Sequence, residues 1–406
     1  MANVIGSQQT IERGSKRFNQ VTFALFMAGL ATFALLYCVQ PIMPLLSQHY
    51  QVSASSSSLS LSCSTALLAI GLLITGPLSD AYGRKSVMNY SLLLATLCSF
   101  ASVVSQHWHT FLFWRALLGL SLSGIAAVAM SYLSEEIHPS AAAFAMGLYI
   151  SGNSIGGMAG RLVTGVITDY YPWHIALTAI SLLALLAAVL FYFLLPASKH
   201  FHAHPWRLRK IILFLFLHWR DRRLPWLFFI AFLLMGSFVT LFNYISYRLL
   251  AAPYGLSQAS IGLLSLSYLT GTFSSPRAGI LSQRYGKGRV LASSMIIMLI
   301  GLWLTACSAL LLIFIGMLCF TAGFFAAHAT ASSYVTSQAK RGKGQAASFY
   351  LFFYYLGSSL VGTAGGLFWH HWQWPGIVAF LTLLLVAGLL LAYYTLLPNK
   401  KPVLHH

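Results

Sequence analysis

Apolar residues run along this chain in long unbroken stretches, and the polar positions between them come in short clusters. Val21–Leu46, Leu59–Ser79, Phe111–Leu133, Ile175–Leu195 and Trp226–Tyr247 are the clearest stretches. A helix needs roughly 20 mostly apolar residues to cross a bilayer core. Reading each stretch with its breaks predicts twelve spans: 20–46, 57–80, 86–105, 110–133, 140–168, 173–195, 225–249, 257–282, 288–307, 310–337, 344–369 and 374–397. The first stretch is too long for the apolar part of a cleaved leader, and no small-residue cleavage site follows it, so it reads as a retained span. The pattern predicts an all-α membrane protein.

Charge sorts the clusters between the spans. Of the 24 lysines and arginines, 20 fall on one side if there are twelve spans. They are Arg13, Lys16 and Arg17; Arg84 and Lys85; seven in the central segment from Lys199 to Arg223; Arg284, Lys287 and Arg289; Lys340, Arg341 and Lys343; and Lys400 and Lys401. The opposite loops hold histidines but almost no lysine or arginine. The positive-inside rule then puts both termini in the cytoplasm, and the clean sorting supports the span count. The expected organisation is a cytoplasmic tail over 1–19, a six-helix bundle over 20–195, a central loop over 196–224, a second six-helix bundle over 225–397 and a tail over 398–406. Within the central loop, Ile211–Leu217 is too short to span and is flanked by cations, which predicts an interfacial helix.

Composition removes other classes. The chain is 58% hydrophobic and 7% charged, against about 25% charged in a soluble domain. A net charge of +18 in a soluble protein would suggest nucleic acid. Here it is spread over six segments with no continuous basic face, which excludes that partner. The five cysteines sit inside apolar runs at no metal-ligand spacing and read as small hydrophobes. No nucleotide-binding loop, nucleophile–base pair or ligand cluster appears, so neither an enzyme nor a cofactor or metal is expected.

A short polar insert is written twice. Residues 76–85 read Gly-Pro-Leu-Ser-Asp-Ala-Tyr-Gly-Arg-Lys, and residues 279–289 read Gly-Ile-Leu-Ser-Gln-Arg-Tyr-Gly-Lys-Gly-Arg. Trp173 and Trp374 repeat likewise, as do Gly152, Gly157 and Gly160 with Gly357, Gly362 and Gly365. Each half is therefore six spans of one design. An even span number makes the repeats parallel, and such proteins bind cargo between the halves.

The first insert, Gly76-x-Leu78-x-Asp80-x-x-Gly83-Arg84-Lys85, resembles the signature loop of the major facilitator superfamily. Arg115-x-x-x-Gly119 resembles that family's second motif. Gly152-Asn-Ser-Ile-Gly156-Gly157 resembles its antiporter motif, with Asn153 in place of proline. The resemblance covers the whole chain and implies a monomeric, multi-pass transporter of the bacterial inner membrane, near the drug:proton antiporter group. It implies proton-coupled efflux of a small organic molecule by alternating access; proton-coupled uptake of an organic anion or sugar by symport is the alternative, and a non-transporting sensor is a third reading. It also implies that Asp80 meets the amides at the start of the eleventh span, near Gln345–Ser348, and closes an inner gate. Arg84 and Lys85 are placed to meet Glu135 and Glu136. Gly152, Gly156 and Gly160 share one face of the fifth helix, which the resemblance turns toward the eighth span.

Ionisable residues inside spans are functional candidates by default. Arg115, Arg161 and His328 are expected to line a cavity or carry a proton. Tyr37, Gln40, Asn153, Asn243, Tyr244, Tyr354 and Tyr355 are the other candidates for the cavity wall. No Asp or Glu lies deep in any span, so an anionic or neutral cargo is expected rather than a cation.

Overall fold

The computed structural model describes residues 10–199, 201, 213 and 216–396. Most of the expected interfacial helix and all of the tail over 398–406 lie outside them. The described chain is helices joined by short turns: α1 (Lys16–Tyr37), α2 (Met43–Tyr50), α3 (Ala54–Tyr82), α4 (Arg84–Val103), α5 (Trp108–Glu136), α6 (Pro139–Tyr170) and α7 (Trp173–Leu194), then α8 (Leu224–Leu250), α9 (Gln258–Leu263), α10 (Leu269–Tyr285), α11 (Lys287–Leu304), α12 (Leu310–Gln338) and α13 (Lys343–Leu396). A 3₁₀ turn, Leu264–Tyr268, joins α9 to α10. Within α13 the backbone leaves the helical region at Gln373, two residues before Pro375. That proline cannot continue the helical ladder.

Among the described residues nine helices are long and apolar enough to cross a membrane. The exceptions are instructive. The 32-residue α6 carries six glycines and Arg161, and the line from α9 to α10 is interrupted by its 3₁₀ turn. These two elements face each other between the halves, as α3 and α13 also do. Leu97, Leu186, Ile300 and Leu390 are among the large apolar side chains left on the outside, as expected of a surface covered by lipid.

Close packing follows the glycines. A Cβ on Gly152, Gly156 or Gly160 of α6 would strike the backbone of Phe26, Leu30 or Ala34 on α1. In the second half, a Cβ on Gly357 of α13 would strike the backbone of Phe232 on α8, and one on Gly365 would strike the side chains of Thr240 and Tyr244. The sequence repeat is thus a repeat of one helix pair. Small residues let two backbones approach where lipid supplies no hydrophobic drive. The shared α6 face therefore packs on the first span, which corrects the expectation that it packs on the eighth.

Candidate functional site

Two helix discontinuities meet around Arg161. The first is the turn between α1 and α2, where Pro41 and Pro44 prevent a continuous helix and leave Gln40 on irregular backbone. The second is the 3₁₀ turn that ends at Tyr268. Non-helical backbone at membrane depth is tolerated where protein or a cavity surrounds it, and a mid-helix 3₁₀ turn often marks a hinge.

Arg161 lies about two-thirds of the way along α6, counting 1.5 Å per residue. Its Nε donates to Gln40 Oε1 at 2.6 Å, and its Nη1 donates to the Gly157 carbonyl at 2.5 Å. Gln40 Nε2 donates onward to Asn243 Oδ1 of α8 at 2.7 Å. A continuous polar chain thus crosses from the first half to the second. The guanidinium carbon lies 4.4 Å from the Tyr37 ring centre, 4.6 Å from Tyr268 and 5.6 Å from Phe242, close enough for cation–π attraction. Arg161, Gln40, Asn243 and Tyr37 are all buried. Arg161 Nη2 and the Tyr37 hydroxyl have no hydrogen-bond partner.

The expected tyrosines and His328 continue this cluster into the second half. His328 Nδ1 and the Tyr350 hydroxyl share a hydrogen bond at 2.9 Å. The Tyr354 ring lies 4.7 Å from His328 and 5.1 Å from Tyr355. The Tyr354 hydroxyl is within electrostatic range of those of Tyr37 and Tyr268. Tyr268, Phe242 and Tyr350 were not singled out from the sequence, because an aromatic in an apolar run carries no signal of its own.

Two expected cavity residues are structural. Arg115 donates from Nε to the Ser60 carbonyl at 2.9 Å and from Nη1 and Nη2 to those of Leu35 and Leu36 at 2.8 Å. These last two are at the C-terminal end of α1, where unpaired carbonyls and the helix dipole attract a cation. Arg115 is therefore a helix-end clamp, with its Nε, Nη1 and Nη2 all spent on backbone carbonyls. Tyr244 donates to the Gly362 carbonyl at 3.1 Å and ties α8 to α13. Asn153 turns its Oδ1 onto Gly29 of α1, within the same helix pair as the α6 glycines.

The signature loop folds as a tight turn. Gly83 and its copy Gly286 both hold a positive φ, +96° and +88°, a region that disfavours any residue with a side chain. Arg84 pairs with Asp80 and makes a two-pronged contact with Glu135, at 3.2 and 2.7 Å. Glu136 is buried and accepts the backbone amide of Lys199 at 2.6 Å, while the Lys85 ammonium sits 5.7 Å from the Tyr192 ring. In the second copy Lys287 occupies the place of Arg84 and donates to Ser333 and Ser337; no acid takes part. Among the described residues no hydrogen bond joins Asp80 to Gln345–Ser348, and Gln345 is exposed. The inner contact expected of Asp80 is not made in this conformation.

Contacts between the halves gather at the other end of the bundle. Ser47 pairs with Tyr247 at 2.7 Å, Thr363 with Ser62 at 2.8 Å, and Ser265 with the Met158 carbonyl at 3.1 Å. Asp169, at the end of α6, accepts the Gln258 and Ala259 amides at 2.7 and 3.0 Å. It thereby caps the N-terminus of α9 from the opposite half. A cavity of about 880 Å³ lies at this end between α8, α11 and α13, with Trp303, Trp369 and Trp374 in its wall. None of the residues expected from the sequence to bind cargo or carry a proton lines it.

A helical chain with nine membrane-length helices among its described residues, a duplicated signature loop and a polar chain strung between its halves has the form of a secondary transporter. The family model of the Major Facilitator Superfamily matches residues 22–360 and 227–405, and the chain belongs to that superfamily. It is 61% identical over 382 residues to the inner membrane transport protein YnfM of Escherichia coli strain K12, covering 94% of this chain and 92% of that one. It is 44% identical over 392 residues to the MFS-type transporter YybF of Bacillus subtilis strain 168, covering 97% of each. Among solved structures, the nucleoside transporter NupG superposes with a TM-score of 0.76 at 14% identity, over 91% of this chain and 99% of that one; this likeness is one of fold.

Proposed function

We propose that this protein is a proton-coupled exporter of a small organic molecule in the bacterial inner membrane, working by alternating access with both termini in the cytoplasm. The observation that carries this reading is the one-sided distribution of contacts between the halves. They are dense from Arg161 to Asp169 and missing at Asp80, as in a carrier closed toward the outside and open toward the cytoplasm. Twelve spans follow if α6, the α9–α10 line and each side of the Gln373 break are counted as crossings. The halves are then 20–195 and 225–397, linked by the loop over 196–224.

In this reading Arg161, Gln40, Asn243 and Tyr37 form the roof of the cargo site, with Tyr354 and Tyr355 below. His328, hydrogen-bonded to Tyr350, is the candidate proton carrier. Asp80 reaches the start of α13 when the cytoplasmic side closes and the Asp169 cap opens. The α6–α1 and α8–α13 glycine pairs move as rigid units. The similarity to YnfM, named a transport protein of the inner membrane, supports the location. The partial antiporter motif on α6 supports export over uptake. Transport into inside-out vesicles, energised by a proton gradient and abolished by its collapse, tests the reading. Accumulation only in right-side-out vesicles would establish uptake instead.

A further inference from the structure

We infer that the cargo is an organic monoanion with a flat aromatic body, whose carboxylate is taken by Arg161; this rests on the transporter reading above. Among the described residues two arginines are deeply buried, Arg115 and Arg161, and they are held differently. Arg115 uses Nε, Nη1 and Nη2 on three backbone carbonyls, two of them at the negative end of a helix. Nothing further is needed to hold its charge. Arg161 uses Nε on Gln40 and Nη1 on Gly157; Nη2 is buried and meets no acceptor in hydrogen-bond geometry, and the Tyr268 hydroxyl beside the guanidinium supplies no carboxylate. A buried charged donor without a partner is strongly disfavoured unless something supplies one.

The protein supplies no acid to it. All six acids of the chain are accounted for elsewhere. Asp80 and Glu135 pair with Arg84, and Glu136 takes the Lys199 amide. Asp169 caps α9, Asp221 accepts the amides of Arg223 and Leu224, and Glu12 lies ahead of α1. Beside Arg161, the Tyr37 hydroxyl is also without a partner and within electrostatic range of the guanidinium. An unused cationic N–H edge and an unused hydroxyl in one buried place match a carboxylate, which accepts charge-assisted hydrogen bonds in the guanidinium plane. A cation would be repelled there, and a neutral amide would leave the charge uncompensated. The body following the carboxylate enters among the rings of Tyr37, Tyr268 and Phe242, with Tyr354 adjacent. Aromatic walls of this kind favour a flat ring that can stack or meet them edge-on.

The test uses the full-length protein in lipid nanodiscs and measures binding by calorimetry. The probes are benzoate, cinnamate and indole-3-acetate, each with its neutral amide and its amine counterpart, and butyrate as an aliphatic carboxylate. At least one aromatic carboxylate is expected to bind, with its amide and butyrate at least 10-fold weaker and its amine unbound. Arg161→Gln is expected to remove the preference of carboxylate over amide, and Arg161→Lys to restore part of it. If no carboxylate binds, or the amide or amine binds equally well, the inference is overturned, whether or not the Arg161 variants fold. Proteoliposome flux separates the two levels. Binding of the carboxylate without its translocation would refute the transporter reading alone, and translocation of neutral or cationic compounds without carboxylate binding would refute the inference alone.

Discussion

Replacing Asp169 by alanine tests whether the outer contact is a lock. The carboxylate takes two backbone amides at the start of α9, at 2.7 and 3.0 Å, and Ser257 takes a third, that of Ser260. Asp169→Ala leaves two amides without their cap. Loss of an N-capping side chain costs about 0.5–2 kcal/mol. Asp169 is exposed, so water replaces part of the interaction and the expected cost is about 1 kcal/mol, at the middle of that range. That cost falls only on the conformation closed at this end, because the cap joins opposite halves. The ratio of open to closed molecules should therefore rise about fivefold, the factor that 1 kcal/mol carries. Spin labels at exposed Tyr171 and Ala251, in a cysteine-free background, report this ratio as a second, longer distance in pulsed electron resonance. Asp169→Asn, which keeps one acceptor oxygen, should shift it less. A distance distribution identical to that of the unsubstituted protein in both variants would refute the lock.

Other substitutions address the remaining roles. Asp80→Asn should lower turnover while leaving cargo affinity within about twofold of the parent, a difference worth about 0.4 kcal/mol; unchanged flux would remove Asp80 from the gate. Arg115→Gln should destabilise the protein by about 3 kcal/mol, since buried carbonyls that lose their donors cost about 1–3 kcal/mol each, and a melting curve in detergent without a shift would show the clamp to be dispensable. Gly156→Val forces a side chain into the Leu30 backbone. It should cost about 1–3 kcal/mol by overpacking, with lower yield of monodisperse protein as the readout.

Much of the architecture was legible because bilayer thickness imposes run length and the inner leaflet sorts cations. The turn at Gly83 and the glycine face of α6 were legible too, since each follows from local backbone needs. What the α6 face touches was not, because a helix's own spacing says which residues share a side and nothing about what lies opposite. Arg115 was misread for the same reason: the carbonyls of Leu35 and Leu36 that hold it come from 79 and 80 residues away. Arg161, Gln40 and Asn243 stood out as polar residues in apolar runs. The role of Asp169 left no trace in the sequence, since the amides it caps lie 89 and 90 residues away; nor did Ser62 and Thr363, since small hydroxyl residues satisfy themselves within helices and do not interrupt an apolar pattern.

The cap on α9 has a consequence for how freely the two halves can diverge. Asp169 recognises main-chain N–H groups, so the side chains of Gln258 and Ala259 contribute nothing to being recognised. Asp169 therefore sets no side-chain identity at those two positions, and proline, which lacks the amide, is the residue refused at both 258 and 259. The half that carries the carboxylate is bound to one chemical group at one place. The surface that receives it is specified by backbone geometry alone, and one half can change its wording while the other cannot.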